Sequence, residues 1–309
     1  MPSFLPFPLT GFPCDYVDVR QEERSLTYAH FKDGEALDIR ESSAAGYLVR
    51  VYHRGRWFFS VTTEKDRLEQ EIRQLIAAAE KMAPAETRNW MALVKPWQAD
   101  LVKFADRHPS HVPLNDKLAL LKRGFPVLQA EPRVVSWDAI YQDRYRLVRF
   151  ASSLGTETAY DAPSFGVRFG YQLREGSKLF RHTASVGDNR YDALAGGPEE
   201  LSRDLAQSLS FLSAPTIPEG DYPVILSEKV AGIFAHESFG HKSEADFLLG
   251  DPGASKEWEI GKSVGPPLLT IVDDGTLEDA SGYCPVDDEG TPGQKRYLIR
   301  EGKLAGRLH

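Results

Sequence analysis

Apolar and polar residues alternate through the first sixty positions. Residues 15–20 alternate at period two, as a half-buried strand does, and residues 25–31 continue in the same style. Asp33-Gly34 is a turn signal, after which residues 36–40 and 46–52 return as strands. Arg54-Gly55 then leads into residues 57–61, completing an antiparallel meander. The period next changes to that of a helix. Leu68, Ile72, Leu75, Ile76 and Ala79 share one stripe, with Thr63 as the expected cap, Asp66 in the first turn and Pro84 just past the end. Pro84, Pro96, Pro109 and Pro113 break the stretch that follows, and Trp90 and Trp97 mark it as packed rather than free. A short helix is expected from Asn115 as cap through Leu118, Leu120 and Leu121 to Gly124.

The strand pattern then resumes over residues 133–140, 144–151, 156–160 and 165–173. Glu175-Gly176 turns it into 179–185. Pro198 opens a helix with Leu201, Leu205, Leu209 and Leu212 on one side. The fold class is therefore α+β: antiparallel sheets with covering amphipathic helices. The plan of strands then helix occurs twice, over 14–82 and 132–213, and GYLVRVY (46–52) is loosely like GVRFGY (166–171). Two accounts stay open, an internal duplication and the common layout of any sheet with a covering helix. Residues 1–215 form the expected N-terminal α+β domain. Residues 216–309 hold a motif helix and the start of a β-rich C-terminal domain.

In that second part, residues 222–226 are expected to form a short buried strand. Ser227 caps a helix whose start, through Val230, Ala231, Ile233 and Phe234, is apolar all round and so is expected to be buried. Residues 268–272 form a strand ending in Asp273-Asp274-Gly275, read as a turn. Residues 287–293 are an acidic, turn-rich loop whose three consecutive acids need positive charge nearby, with Lys295 and Arg296 as the adjacent candidates. Residues 297–300 and 304–308 flank Glu301-Gly302 as a hairpin.

The net charge of −8 over 309 residues, with no Lys/Arg cluster, argues against direct nucleic-acid binding. The two cysteines, Cys14 and Cys284, form no paired pattern, which fits a reducing, cytoplasmic setting. The apolar opening holds four prolines and no basic segment, unlike a signal peptide, and no apolar run is long enough to span a bilayer.

The chemistry concentrates in HESFGH, residues 236–241, with Glu244 and Asp246 just beyond. Imidazole is a common zinc ligand, and a carboxylate beside it can act as a general base. Here the histidines lie five apart, whereas the usual helical zinc motif has them four apart. In a regular helix that turns the second about 140° from the first. Both reach one ion only if the helix widens into a π turn or unwinds, which Gly240 would make cheapest. One reading has His236 and His241 bind Zn²⁺ while Glu237 takes a proton from zinc-bound water. Glu244 and Asp246 then orient the histidines or supply a third ligand. The other has a buried helix whose histidines are satisfied by backbone or carboxylate partners. His30, His53, His108, His111, His182 and His309 are scattered and are read as surface or packing residues.

HESFGHKSEAD (236–246), TIVDDG (270–275), VDDEGTPG (286–293) and IREGKL (299–304), with the order of the N-terminal strands, resemble the TldD/PmbA metallopeptidases, historically labelled modulators of DNA gyrase. The resemblance implies a zinc-dependent peptidase acting on peptides or unfolded protein segments. His236 and His241 would be ligands and Glu237 the base. It implies dimers, homodimeric or heterodimeric with a paralogous subunit. It also implies a longer protein whose third ligand is a cysteine in the C-terminal part, beyond residue 309, which Cys284 is not. On that expectation the isolated chain binds zinc weakly and cleaves poorly. The alternative is a non-catalytic binding or regulatory subunit of a dimeric protease complex, which would have no need of Glu237 beside two histidines.

Overall fold

The computed structural model describes residues 4–86, 90–248 and 251–308. Packing divides the chain into two units. One is Met1–Ala214 with Asp279–Thr291; the other is Pro215–Glu278 with Pro292–His309.

The first unit is a mixed sheet of seven strands. The short segments expected at 15–20 and 25–31 fuse into one strand, β1 (Tyr16–Lys32), and those at 36–40 and 46–52 into β2 (Glu35–His53). β3 is Arg56–Thr62 and β4 Gln98–Leu101. The same fusion gives β5 (Val134–Ser152) and β6 (Glu157–Glu175), and β7 is Lys178–Asp188. The polar middle of β1 does not break the strand because its neighbour carries matching charge: Arg149 of β5 donates to Glu23 at 2.7 Å. The order is β3-β2-β1-β5-β6-β4, with β7 also on β6. All pairings are antiparallel except β4 with β6. The halves share strand order and register: Glu22 pairs with Gly46 and Gln142 with Gly166, so an offset of 120 residues turns the first pair into the second.

Side chains alternate across a strand, so odd-numbered residues of β1 share one face. On that face Val17 and Val19 join Val49, Val51, Leu68, Ile72 and Ile76 in one core, which also takes in Leu5 and Leu9. Further along it, Ala29 and Phe31 join Tyr141, Phe169, Leu121, Leu201 and Leu205 in a second core. The covering helices are α1 (Leu68–Glu80), α2 (Leu114–Lys122), α3 (Phe125–Gln129) and α4 (Gly197–Phe211). The apolar stripes of α1, α2 and α4 are those the periodicity predicts, whereas α3 follows Gly124, where the expected helix ends, and the caps are not those expected. Neither Thr63 nor Asn115 caps: a turn of 3₁₀ helix (Lys65–Arg67) leads into α1, and Pro113 precedes α2. Thr62 Oγ1 instead accepts from the Glu64 amide at 3.1 Å.

The opposite face carries the even-numbered residues, and part of it is covered by the loop 279–291. Arg20 pairs with Asp288 at 3.2 Å. Arg50 reaches Glu289 at 3.2 Å while holding the fully buried Asp18 at 2.8 Å. The acidic loop thus finds its positive charge on β1 and β2. Lys295 and Arg296, adjacent in sequence, belong to the other unit. Asp287 Oδ1 accepts from the amides of Glu289 and Thr291, which folds the loop on itself. Burial raises the Asp18 carboxyl above its ordinary range despite Arg50, and pairing raises the Arg50 guanidinium.

The second unit has a small core of Leu248, Trp258, Ile299 and Leu304. Its sheet is β8 (Ile271–Asp274), β9 (Lys295–Arg300) and β10 (Lys303–Leu304) in antiparallel order. The Glu301-Gly302 turn has both residues at positive φ, 49° and 77°. Only glycine suits the second position, since a Cβ there would lie 2.4 Å from the Gly265 carbonyl oxygen. Residues 222–226 are not a buried strand: they pair with no strand among the described residues, and Ile225 is 99 % exposed. The helix that follows, α5 (Glu228–Ala235), has no buried residue, and Ile233 and Phe234 are each 53 % exposed. An apolar-all-round helix is buried only when something packs around it, and the small core of this unit forms elsewhere. No helix among the described residues is long and apolar enough to cross a membrane.

Candidate metal centre

α5 begins where the sequence puts its cap, with Ser227 Oγ accepting from the Val230 amide at 3.4 Å. It runs straight into the motif. Residues His236–Gly240 form a single π turn, in which the His241 amide donates to the His236 carbonyl. Five residues per closed ring, instead of four, is what the five-residue spacing requires. The chain widens here rather than unwinding. Gly240 stays helical at φ −58°, and the glycine is not used for a left-handed conformation. A tighter 3₁₀ turn follows over His241–Ser243, then α6 (Ala245–Leu248) and α7 (Pro252–Glu257).

The π turn stacks the two imidazoles edge to face with ring centroids 4.5 Å apart. One ligand atom from each of His236, Glu237 and His241 lies within 4.8 Å of the others, and all three residues are exposed. Glu237 Oε2 sits 3.9 Å from His241 Nε2. On the other side of that ring, Glu244 Oε1 is 2.7 Å from His241 Nδ1. Such a contact favours the proton on Nδ1 and leaves the Nε2 lone pair free for a cation. Two imidazole nitrogens and a carboxylate, converging and open to solvent, fit a zinc ion by donor chemistry. Asp246 is not part of this group.

Other acids and thiols do something else. Asp274 Oδ1 accepts from the Thr276 amide and hydroxyl at 3.0 and 2.6 Å, bonds that depress its pKa and close the turn after β8. Cys284 lies in the other unit, donates to the Val286 carbonyl at 3.3 Å, and has its thiol pushed up by burial of the sulfur. Two features escape the sequence. Arg20 and Arg50, as the partners of the acidic loop, lie more than two hundred positions away from it. Ser243, inside the motif, links two parts of its surroundings. Its hydroxyl donates to the Phe239 carbonyl at 2.7 Å and accepts from Trp258 Nε1 at 3.2 Å.

Two family models match the chain. The PmbA/TldA metallopeptidase C-terminal domain matches residues 219–309, and PmbA/TldA metallopeptidase domain 1 matches residues 17–83. The chain belongs to the TldD/PmbA metallopeptidase family. This TldD/PmbA chain is 29 % identical over 298 residues to a Synechocystis protein named metalloprotease slr0863, an alignment spanning 96 % of this chain and 64 % of the relative. A Saccharolobus solfataricus protein named zinc metalloprotease TldD homolog is 27 % identical over 271 residues, 84 % of this chain and 57 % of the relative. Among solved structures, TldE from Thermococcus kodakarensis superposes with a TM-score of 0.71 at 15 % identity, covering 96 % of this chain and 66 % of that one. The chain thus spans somewhat under two thirds of the length of such curated relatives as the Synechocystis protein, at 64 %.

Proposed function

We propose that this chain carries the zinc-binding and proton-transfer part of a metallopeptidase that hydrolyses peptides or unfolded protein segments. The observation that carries the reading is the π turn, which brings His236, Glu237 and His241 to within 4.8 Å of one another. His236 and His241 would hold the ion as neutral imidazoles, and Glu244 would keep His241 in the required tautomer. Zinc, when bound, supplies Lewis acidity toward the peptide carbonyl and the attacking water. Glu237 takes the proton from that water and can return it to the leaving amine. With Glu237 kept for proton transfer, the two histidines are the protein ligands left in this group, one short of the usual three, so affinity for zinc is low in this chain alone. Assembly with a second subunit, identical or paralogous, belongs to the same reading. The exposed apolar run at Val224, Ile225, Ile233 and Phe234 is the kind of surface a partner covers.

The test is zinc content by plasma emission and cleavage of an unfolded peptide in excess zinc. In that excess, wild type is expected to take up zinc weakly and to cleave slowly. His236→Ala is expected to lose the zinc. Glu237→Gln is expected to keep it while turnover falls about 10²- to 10⁴-fold. Equal zinc in wild type and His236→Ala overturns the ligand assignment. Normal turnover in Glu237→Gln overturns the base, and no cleavage by the wild type in excess zinc overturns the peptidase reading.

A further inference from the structure

Beside the motif lies a pocket of about 310 Å³ lined by His241, Lys242, Leu248, Ala254, Glu257 and Trp258. His241 belongs to both: its imidazole converges with His236 and Glu237, and the residue also lines the pocket. Leu248 and Trp258, each 8 % exposed, are members of the core of this unit, so the floor is apolar and fixed. Trp258 is held from two further sides. Its Nε1 donates to Ser243 Oγ at 3.2 Å, and its carbonyl accepts from Arg307 at 2.9 Å. The Ser243 link ties the indole to the same short turn that carries His241. The charged members are one of each sign: Lys242, with Nζ 5.6 Å from the indole centroid, and Glu257. Neither a cationic nor an anionic guest gains from such a pair, whereas an aliphatic or aromatic side chain displaces water from Leu248, Ala254 and Trp258.

We infer that this pocket receives the side chain of the substrate residue adjoining the cleaved bond, and that it selects Leu, Met or Phe there over Gly or Asp. The inference rests on the peptidase reading for its place in catalysis, though not for binding. A peptide whose backbone lies across His236 and His241 has the pocket next to it through the shared His241 wall. Rigid apolar pockets discriminate by filling, at about 10- to 100-fold for a side chain of this size. Ala254 is the position that sets the depth, since any larger residue there occupies the space of the guest.

The probes are pentapeptides Gly-Gly-Xaa-Gly-Gly with Xaa as Gly, Asp, Leu or Phe. Binding to the 309-residue chain carrying Glu237→Gln, by calorimetry in zinc, is expected to be at least tenfold tighter for Leu and Phe than for Gly and Asp. Adding Ala254→Phe is expected to compress that difference to about twofold. Ala254→Val, a smaller intrusion, is expected to fall between the two and serves if the phenylalanine disturbs folding. Equal binding of all four peptides, no binding of any, or a preference untouched by both Ala254 variants overturns the pocket. Cleavage of the same peptides by wild type separates the readings. Preference in binding without any cleavage leaves the pocket and removes the peptidase, while cleavage blind to Xaa does the reverse.

Discussion

Two clusters of charged and polar side chains stand in instructive contrast, one in each unit. In the first, Lys117 of α2, 1 % exposed, reaches under the sheet to Asp143 of β5 at 2.7 Å and to Thr27 Oγ1 of β1 at 2.8 Å. Asp143 also accepts from the Tyr141 hydroxyl at 2.8 Å and from the Thr27 amide at 2.9 Å. Donors and acceptors there answer one another. In the second, His236, Glu237 and His241 converge as exposed groups whose ligand atoms lie within 4.8 Å of one another. Burying charge is costly unless each group is satisfied, so the closed cluster is held for the fold. The open one has little structural work, and its convergence makes sense for a cation and a substrate. Clustering of polar residues alone separates neither case; burial and the pairing of donors with acceptors do.

That comparison breaks most easily at Lys117. Lys117→Met removes the cation and leaves Asp143 buried with only neutral donors, which is expected to cost about 3–5 kcal/mol of stability. His236→Ala in the zinc-free chain, by contrast, removes an exposed side chain and is expected to change stability by less than about 0.5 kcal/mol. Urea midpoints of the two variants measure the contrast directly. A loss under about 1 kcal/mol for Lys117→Met, or a larger loss for His236→Ala, would place the structural cluster in the wrong unit.

Glu244 sharpens it. On the proposed reading Glu244 orients His241 through the 2.7 Å contact to Nδ1 and is not itself a ligand. Glu244→Gln is expected to lower zinc affinity about 10- to 100-fold, roughly 1.4–2.7 kcal/mol, with the fold unchanged. Competition against a chelating dye gives the number. Unchanged affinity would show that the 2.7 Å contact to Nδ1 does nothing for the site. A loss near that of His236→Ala would make Glu244 a ligand.

The fold was largely written in periodicity. The stripes Leu68/Ile72/Ile76 and Leu201/Leu205 are buried as their spacing implies. Asp33-Gly34, Arg54-Gly55 and Glu301-Gly302 all turn at positive φ. Strand lengths were not legible, because charged residues such as Glu23 and Arg149 look like breaks until their cross-strand partners are known. The 120-residue offset in register was hidden for a similar reason: GYLVRVY and GVRFGY suggest it, and only the pairing of Gly46 and Gly166 with Glu22 and Gln142 makes it visible. We read that shared register as favouring a duplicated unit. For the site, the five-residue spacing demanded a distortion, and the π turn is one of the two forms foreseen. The exposure of α5 was not legible at all. Apolar composition reports a tendency to be covered, and what covers it is a property of the surroundings.

The smallest effect expected is also the most discriminating, since it asks whether a histidine of the first unit behaves as a packed group. His108 packs at a tilt against Tyr145 with ring centroids 4.4 Å apart, and its Nδ1 accepts from the Ser110 amide at 3.2 Å. Burial, then the neighbouring His111 and Lys117, lower its pKa below 6.5, while Asp143 pulls the other way. Protonation would place a hydrogen on Nδ1 and end its role as acceptor. Between the folded pKa and about 6.5 the unfolded chain binds more protons than the folded one, so stability rises with pH through that window and is lost as pH falls through it. His108→Gln removes this contribution. The drop in urea midpoint from pH 7.5 to pH 5.5 is therefore expected to be smaller in the variant than in wild type, other titrating groups contributing alike to both. If His108→Gln leaves the drop unchanged or enlarges it, His108 is not a packed neutral histidine, and the division between closed and open polar groups no longer extends to the histidines.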